Sequence, residues 1–181
     1  SCGPASLPGA ATQVTEANAD VDGDGSADLL RSYLLGDSEW HLQVALGAGG
    51  GADTAIATYN ESVVDVLGGG DVDGDGADEV WARTGSGASA TILGLARLHD
   101  CELAQVVFAG GDPAELPVGG TVGTTSGLDC GGHIDPDADL TTYTASNVDD
   151  DEYEVTATEY RLDDSTLVEL GTQTTTATVG D

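Results

Sequence analysis

The sequence predicts an all-β fold assembled from three consecutive repeats, and three observations carry that expectation. A nine-residue acidic loop occurs twice in the same register and a third time in weakened form. Short runs of alternating apolar and polar residues follow each copy. Among the 181 residues, 27 Gly and many Thr, Ser and Ala punctuate the chain, and heptads are absent, which suits strands and tight turns better than long helices.

The first loop is "DVDGDGSAD" at residues 20–28, the second "DVDGDGADE" at 71–79, and the third survives as "DPDAD" at 135–139. After the first come "ADLLRSYLL", the turn "GDSE", "WHLQVALG", a Gly-rich break "AGGGAD", "TAIATY" and "SVVDVLGG". After the second come "EVWART", the turn "GSGA", "SATILGLARL", "ELAQVVFAGG" and "ELPVGGTVG"; only "SATILGLARL" has arguable helical spacing. After the third come "DLTTYTAS", "EYEVTATEYRL" and "TLVELGTQTTTATV". In the middle one, Tyr153, Val155, Ala157 and Glu159 share one face and Glu154, Thr156, Thr158 and Tyr160 the other. Residues 1–11 read as a Pro/Gly-rich linker ahead of a single domain over 12–181, with repeats at about 12–62, 63–122 and 123–181. Each repeat supplies about three or four antiparallel strands, the size of one β-propeller blade. Three such blades are expected to form an open arc or to close by self-association, with the use of these loops in a smaller sheet fold as the alternative.

The acidic loops carry the chemistry. Asp20, Asp22, Asp24 and Asp28 stand at positions one, three, five and nine of the first, and Asp71, Asp73, Asp75 and Glu79 at those of the second. Alternate side chains on a curling backbone converge on one point. Gly25 and Gly76 at position six permit the sharp turn, and Ser26 and Ala77 at position seven can offer a backbone carbonyl. Such an all-oxygen cage suits a hard cation, and calcium tolerates its irregular geometry better than magnesium does. Like charges about 4 Å apart repel by roughly 1 kcal/mol even in water, so four converging carboxylates are expected to form together with about two calcium ions per chain, one in each loop. In the third copy Gly131 and His133 replace the first two acids, leaving Asp135 and Asp139 as a doubtful site.

An EF-hand would need an acid at position twelve, where this chain has Arg31 and Ala82. The pattern D-x-D-G-D-G-x-x-[DE] before an apolar run instead resembles the FG-GAP repeat of integrin-type β-propellers and related bacterial secreted proteins, over roughly residues 12–170. The resemblance implies loops that each join two strands of a blade, calcium held for rigidity by the same eight acids, and recognition of a protein or carbohydrate at the cell surface. Three repeats are fewer than the roughly seven blades of the usual closed ring.

Charge and cysteines narrow the rest. With 33 acids, four Arg and no Lys the formal net charge is −29, which excludes nucleic acid as a partner and sets the domain against an anionic membrane face. Cys2, beside a linker-like segment, resembles the processed end of a bacterial lipoprotein; lipidation of Cys2, with membrane contact through that anchor alone, is set against a stray terminal thiol. Cys101 and Cys130 are expected to pair in an oxidising, extracytoplasmic compartment, with two free buried thiols as the alternative.

Catalytic signals are thin. His41, His99 and His133 are scattered, "GTTSG" around Ser126 has the wrong spacing for a nucleophile elbow, and "GAGGGAD" at 47–53 lacks a βαβ frame. A zinc set of Cys130, His133, Asp135 and Asp139 mixes an expected disulfide with turn residues. Trp40 and Trp81 are expected in the core. The expectation is therefore a non-enzymatic, calcium-stabilised binding module, with homo-oligomerisation open. The alternative is a calcium-dependent hydrolase of polysaccharide or phosphoester.

Overall fold

A computed structural model describes residues 2–121, 123–149 and 151–178. Each acidic stretch turns one strand back into its antiparallel neighbour. The first joins β1 (Thr12–Ala19) to β2 (Asp28–Leu35), which continues through β3 (Glu39–Ala45) to β4 (Gly51–Ala55) in a four-stranded antiparallel sheet in chain order. A 3-10 turn at Tyr59–Glu61 follows. The second acidic stretch joins β5 (Asp65–Gly70) to β6 (Glu79–Ser86), which pairs with β7 (Ala90–His99). The far edge of β7 is shared: β8 (Glu102–Gln105) pairs with its end and β10 (Leu116–Gly120) with its beginning, with β9 (Val107–Phe108) between them in sequence. The third joins β11 (Thr124–Cys130) to β12 (Leu140–Asp149), followed by β13 (Glu152–Asp163) and β14 (Thr166–Thr178).

The described residues are thus all-β, and every strand pair is antiparallel except β14 with β9. Neither sheet closes on itself. Strands β5–β7 and β11–β14 belong to one sheet because β10 pairs with β11 across Gly119↔Ser126 and Gly120↔Thr125. Among the described residues no helix is long and apolar enough to cross a membrane.

Packing follows from the alternation. Leu30 and Leu34 of β2 and Leu42 and Val44 of β3 bury their side chains with Val64, Val66, Val80, Ala82 and Ala96, so one apolar cluster holds the first sheet against β5–β7. Fully burying each such side chain is worth about 1.5–3 kcal/mol. Ser32, enclosed in this layer, donates from Oγ to the Val64 carbonyl at 2.9 Å, and the Val66 amide donates to Thr15 Oγ1 at 3.1 Å. A second cluster of Leu95, Val106, Leu116, Leu140, Leu162 and Leu167 packs β7 and β10 against β12–β14. β7 is therefore covered on both faces. Apolar residues on both faces give "SATILGLARL" its arguable helical spacing, yet it is a strand. Trp40 lies in the first cluster, and Trp81 packs against the second.

Some elements differ from expectation. β1 and β11 carry few apolar residues and are mostly exposed or half-buried, so periodicity does not announce them. β4 begins at Gly51, inside the expected Gly-rich break. A Cβ there would sit 1.9 Å from the Val44 carbonyl oxygen, so only Gly can lie this close to β3. The alternation expected along residues 153–160 holds on β13, which pairs without a break with β12 through Glu159 and Tyr160; the register shift there belongs to β14, where Leu170 is the extra residue.

The cysteines pair differently. Cys101 is bonded to Cys2, 99 residues away, and Cys130 is an exposed free thiol. Cys101 sits at the tip of the β7–β8 hairpin, whereas Cys130 ends β11, beyond β10 in the sheet order, so the expected Cys101–Cys130 bond is not formed. The Cys2 sulfur is consumed by this bond, so the expected lipidation of Cys2, and membrane contact through it, fall with the same finding. Residues near Cys2 are also laid onto the first sheet and do not form a free spacer: Gly3 bridges Gly51, and Gln43 donates from Nε2 to the Ser6 carbonyl at 3.4 Å. A disulfide of this kind is consistent with an oxidising, extracytoplasmic setting.

Candidate metal centre

Both full acidic loops fold through side-chain-to-backbone hydrogen bonds within the loop itself. In the first, Asp20 accepts from the amides of Asp24 (3.1 Å) and Gly25 (2.8 Å), and Asp24 accepts from Ser26 (2.7 Å). In the second, Asp71 accepts from Gly76 (3.1 Å), Asp73 from Asp75 (3.2 Å) and Asp75 from Ala77 (2.9 Å). These are the local turns that Asp favours, repeated at matching positions. Gly25 and Gly76 have φ of 84° and 95°, the left-handed backbone expected at position six.

Carboxylate oxygens gather in each loop. One from each of Asp20, Asp22 and Asp24 lie within 4.8 Å of one another, as do one from each of Asp71, Asp73 and Glu79. These two groups of acidic residues can hold a metal ion. Crowding has an electrostatic signature: burial, then the charges of Asp28, Asp24 and Asp20, push the Asp22 carboxyl above its ordinary range against the opposing Asp24 amide bond.

The fourth acid differs between the loops. Asp28 is buried and both its oxygens are engaged, accepting the amides of Val21 (3.1 Å) and Gly47 (2.8 Å), so it braces the loop against the β3–β4 turn. Glu79 is equally buried, and one oxygen accepts the Val72 amide at 2.8 Å. Burial is the main reason its carboxyl is pushed up to about 7, with Asp73 and Asp75 adding to the rise and the Val72 amide and Arg97 opposing it. Replacing Asp28 with Ala strands the enclosed Val21 amide and frees the Gly47 amide at the loop edge, and the expected loss is about 1–3 kcal/mol of stability by denaturant titration. Asp22→Ala, which strands no enclosed amide, should cost the metal-free protein far less.

Three contributors were not read from the sequence. The first is Asp78, which ties the loops together: its Oδ2 accepts the Asp20 amide at 3.0 Å, and its own amide donates to the Asp20 carbonyl at 2.8 Å. The loops touch here, since a Cβ on Gly23 would stand 3.1 Å from the Gly76 carbonyl oxygen. The second is Arg97 on β7, whose guanidinium lies 2.7 Å from Asp73, 2.5 Å from Asp75 and 3.6 Å from Glu79. The third is Glu159 on β13, buried beneath the weakened third loop, where it accepts the amides of His133 (2.5 Å), Ile134 (2.6 Å) and Asp135 (2.7 Å). Burial would raise its carboxyl, but those three amides outweigh it and hold the group below the ordinary range. The signal for Glu159 was an acid sharing a strand face with Tyr153, Val155 and Ala157.

The third loop builds no cage. Asp135 accepts the Asp137 amide at 3.0 Å, and Asp139 turns away to accept the Leu162 amide at 2.7 Å. Among the described residues the imagined zinc set of Cys130, His133, Asp135 and Asp139 does not gather, and the His133 ring faces Asp129 at 3.2 Å. Beside the two full loops lies a cleft of about 440 Å³, bordered by Asp22, Gly23, Asp75, Ala77, Arg97 and the Cys2–Cys101 bond. No family model, curated protein or solved structure matches the chain.

Proposed function

We propose that the chain is a calcium-stabilised extracytoplasmic binding module without catalytic activity, each full loop holding one calcium ion. The observation that carries this reading is the gathering of three carboxylates within 4.8 Å in both loops. Every donor on offer is oxygen, and the backbone carbonyls of Ser26 and Ala77 stand at the position that can complete each cage. That chemistry fits a hard cation of irregular coordination and gives no soft sulfur or imidazole donor for zinc or copper. A divalent ion turns the mutual repulsion of the acids into attraction, and the loops act as hinges locked between paired strands. The packing of the first four-stranded sheet against β5–β7 through one apolar cluster supports a propeller-like arrangement of the FG-GAP kind, as does the place of each loop between two antiparallel strands. The partner we propose is a protein or carbohydrate of the cell surface, on the strength of that resemblance.

Calorimetric titration of chelator-stripped protein is expected to count about two calcium ions per chain, and Asp22→Ala or Asp73→Ala should each remove one. A silent titration of the intact protein sinks the reading. A screen against glycan and phosphoester substrates addresses the alternative, because turnover lost with Asp73→Ala would replace a binding module with a calcium-dependent hydrolase.

A further inference from the structure

The two loops are near-copies in sequence, but their surroundings differ in one charge. Among the described residues, no Arg or His lies within ion-pair distance of Asp20, Asp22, Asp24 or Asp28, and the chain has no Lys. The second loop contains the Arg97 guanidinium, 14% exposed, facing three of its four acids at once. A cation is thus already seated among these oxygens. A guanidinium keeps its charge across the whole physiological pH range. The oxygen of Asp73 that Arg97 engages and the Glu79 oxygen it faces belong to residues of the gathered metal-ligating group.

We propose that Arg97 is a tethered counter-cation that competes with the metal for the second loop, making it the weaker of two otherwise similar sites. This rests on the calcium reading of the loops. An ion entering the second loop must break charge-assisted bonds to Asp73 and Asp75, whereas an ion entering the first only relieves repulsion. The displaced guanidinium has somewhere to go: its Nη1 already donates to the Asp164 carbonyl at 3.2 Å, and the cleft of about 440 Å³ opens beside it. The first loop then fills at low calcium for stability, and the second responds at higher calcium, releasing a positive side chain into the cleft.

The test is calcium titration calorimetry in an Asp22→Ala background, so that the second loop is read alone. Arg97→Gln should tighten that site about tenfold or more, the equivalent of about 1.4 kcal/mol or more. Arg97→Lys, a point charge without the fork, should fall between the two. In the otherwise intact chain, Arg97→Gln should also lower the melting temperature in chelator and enlarge the rise on adding calcium, because the empty acids lose the guanidinium that offsets their charge. Unchanged or weaker binding at the second loop in both variants, with the first loop binding normally in the Asp22-containing chain, overturns the role of Arg97 and leaves the calcium reading standing. An Arg97→Gln protein that does not fold shifts the decision to Arg97→Lys, whose affinity then supports or overturns the proposal alone. Absence of calcium binding in the intact protein ends both.

Discussion

Adding calcium to chelator-stripped protein is expected to raise the melting temperature by about 10–20 °C. The size follows from linkage: a ligand at about 100 times its dissociation constant stabilises the state it binds by about 2.7 kcal/mol, and two sites double that. For a domain of this length each kcal/mol moves the midpoint by about 2–4 °C. The structure says why the folded state alone should benefit. Asp20, Asp22 and Asp24 come within 4.8 Å only because Gly25 adopts a left-handed conformation and Asp28 braces the loop ends through Val21 and Gly47. An unfolded chain keeps the same acids apart and offers the ion no cage. Differential scanning calorimetry in calcium and in chelator makes the measurement. Magnesium at the same concentration should give a much smaller rise, since it demands a regular octahedron. Equal midpoints in calcium and chelator would falsify the metal reading of both loops.

Breaking the Cys2–Cys101 bond should be the most damaging covalent change. It closes a span of 99 residues, for which the chain-entropy model assigns about 4–5 kcal/mol. Cys101→Ser or reduction is therefore expected to lower the melting temperature by about 10–20 °C. Cys2→Ser should match Cys101→Ser, because the two remove one bond. Cys130→Ser should leave stability almost unchanged, its thiol being exposed and unpaired. That pattern separates the observed pairing from the Cys101–Cys130 bond expected from the sequence: a large loss with Cys130→Ser and none with Cys2→Ser would reverse it. The bond also borders the cleft beside the loops, so calcium affinity measured after reduction reports how far it orders that edge.

The two loops share a backbone seam, through the paired hydrogen bonds of Asp20 with Asp78, and they differ at Arg97. Sequence identity between them thus conceals unequal electrostatics. A domain of net charge −29 with only four Arg spends one of them inside an acidic cage, where a solvated charge would be far less effective. Two others are committed on the polar strand faces: Arg31 to Glu16 at 2.9 Å and Arg83 to Asp65.

What the sequence by itself determined is the part whose physics is local. The acid-at-alternate-positions register with Gly at position six dictates loops 20–28 and 71–79, since each hydrogen bond that Asp20, Asp24, Asp71, Asp73 or Asp75 accepts from a loop amide spans five residues or fewer. Alternation dictates strands such as β2, β6, β12 and β13, and the all-β class with them. The tertiary structure alone decided the rest, because those partners meet only through packing of the two apolar clusters. Asp78 reaches Asp20 across 58 residues, Arg97 reaches Asp75 across 22, Glu159 reaches the third loop across 26, and Cys2 reaches Cys101 across 99. No local periodicity encodes such encounters. They are set by which sheet faces bury together, and that is a property of the whole core and of no single stretch of chain.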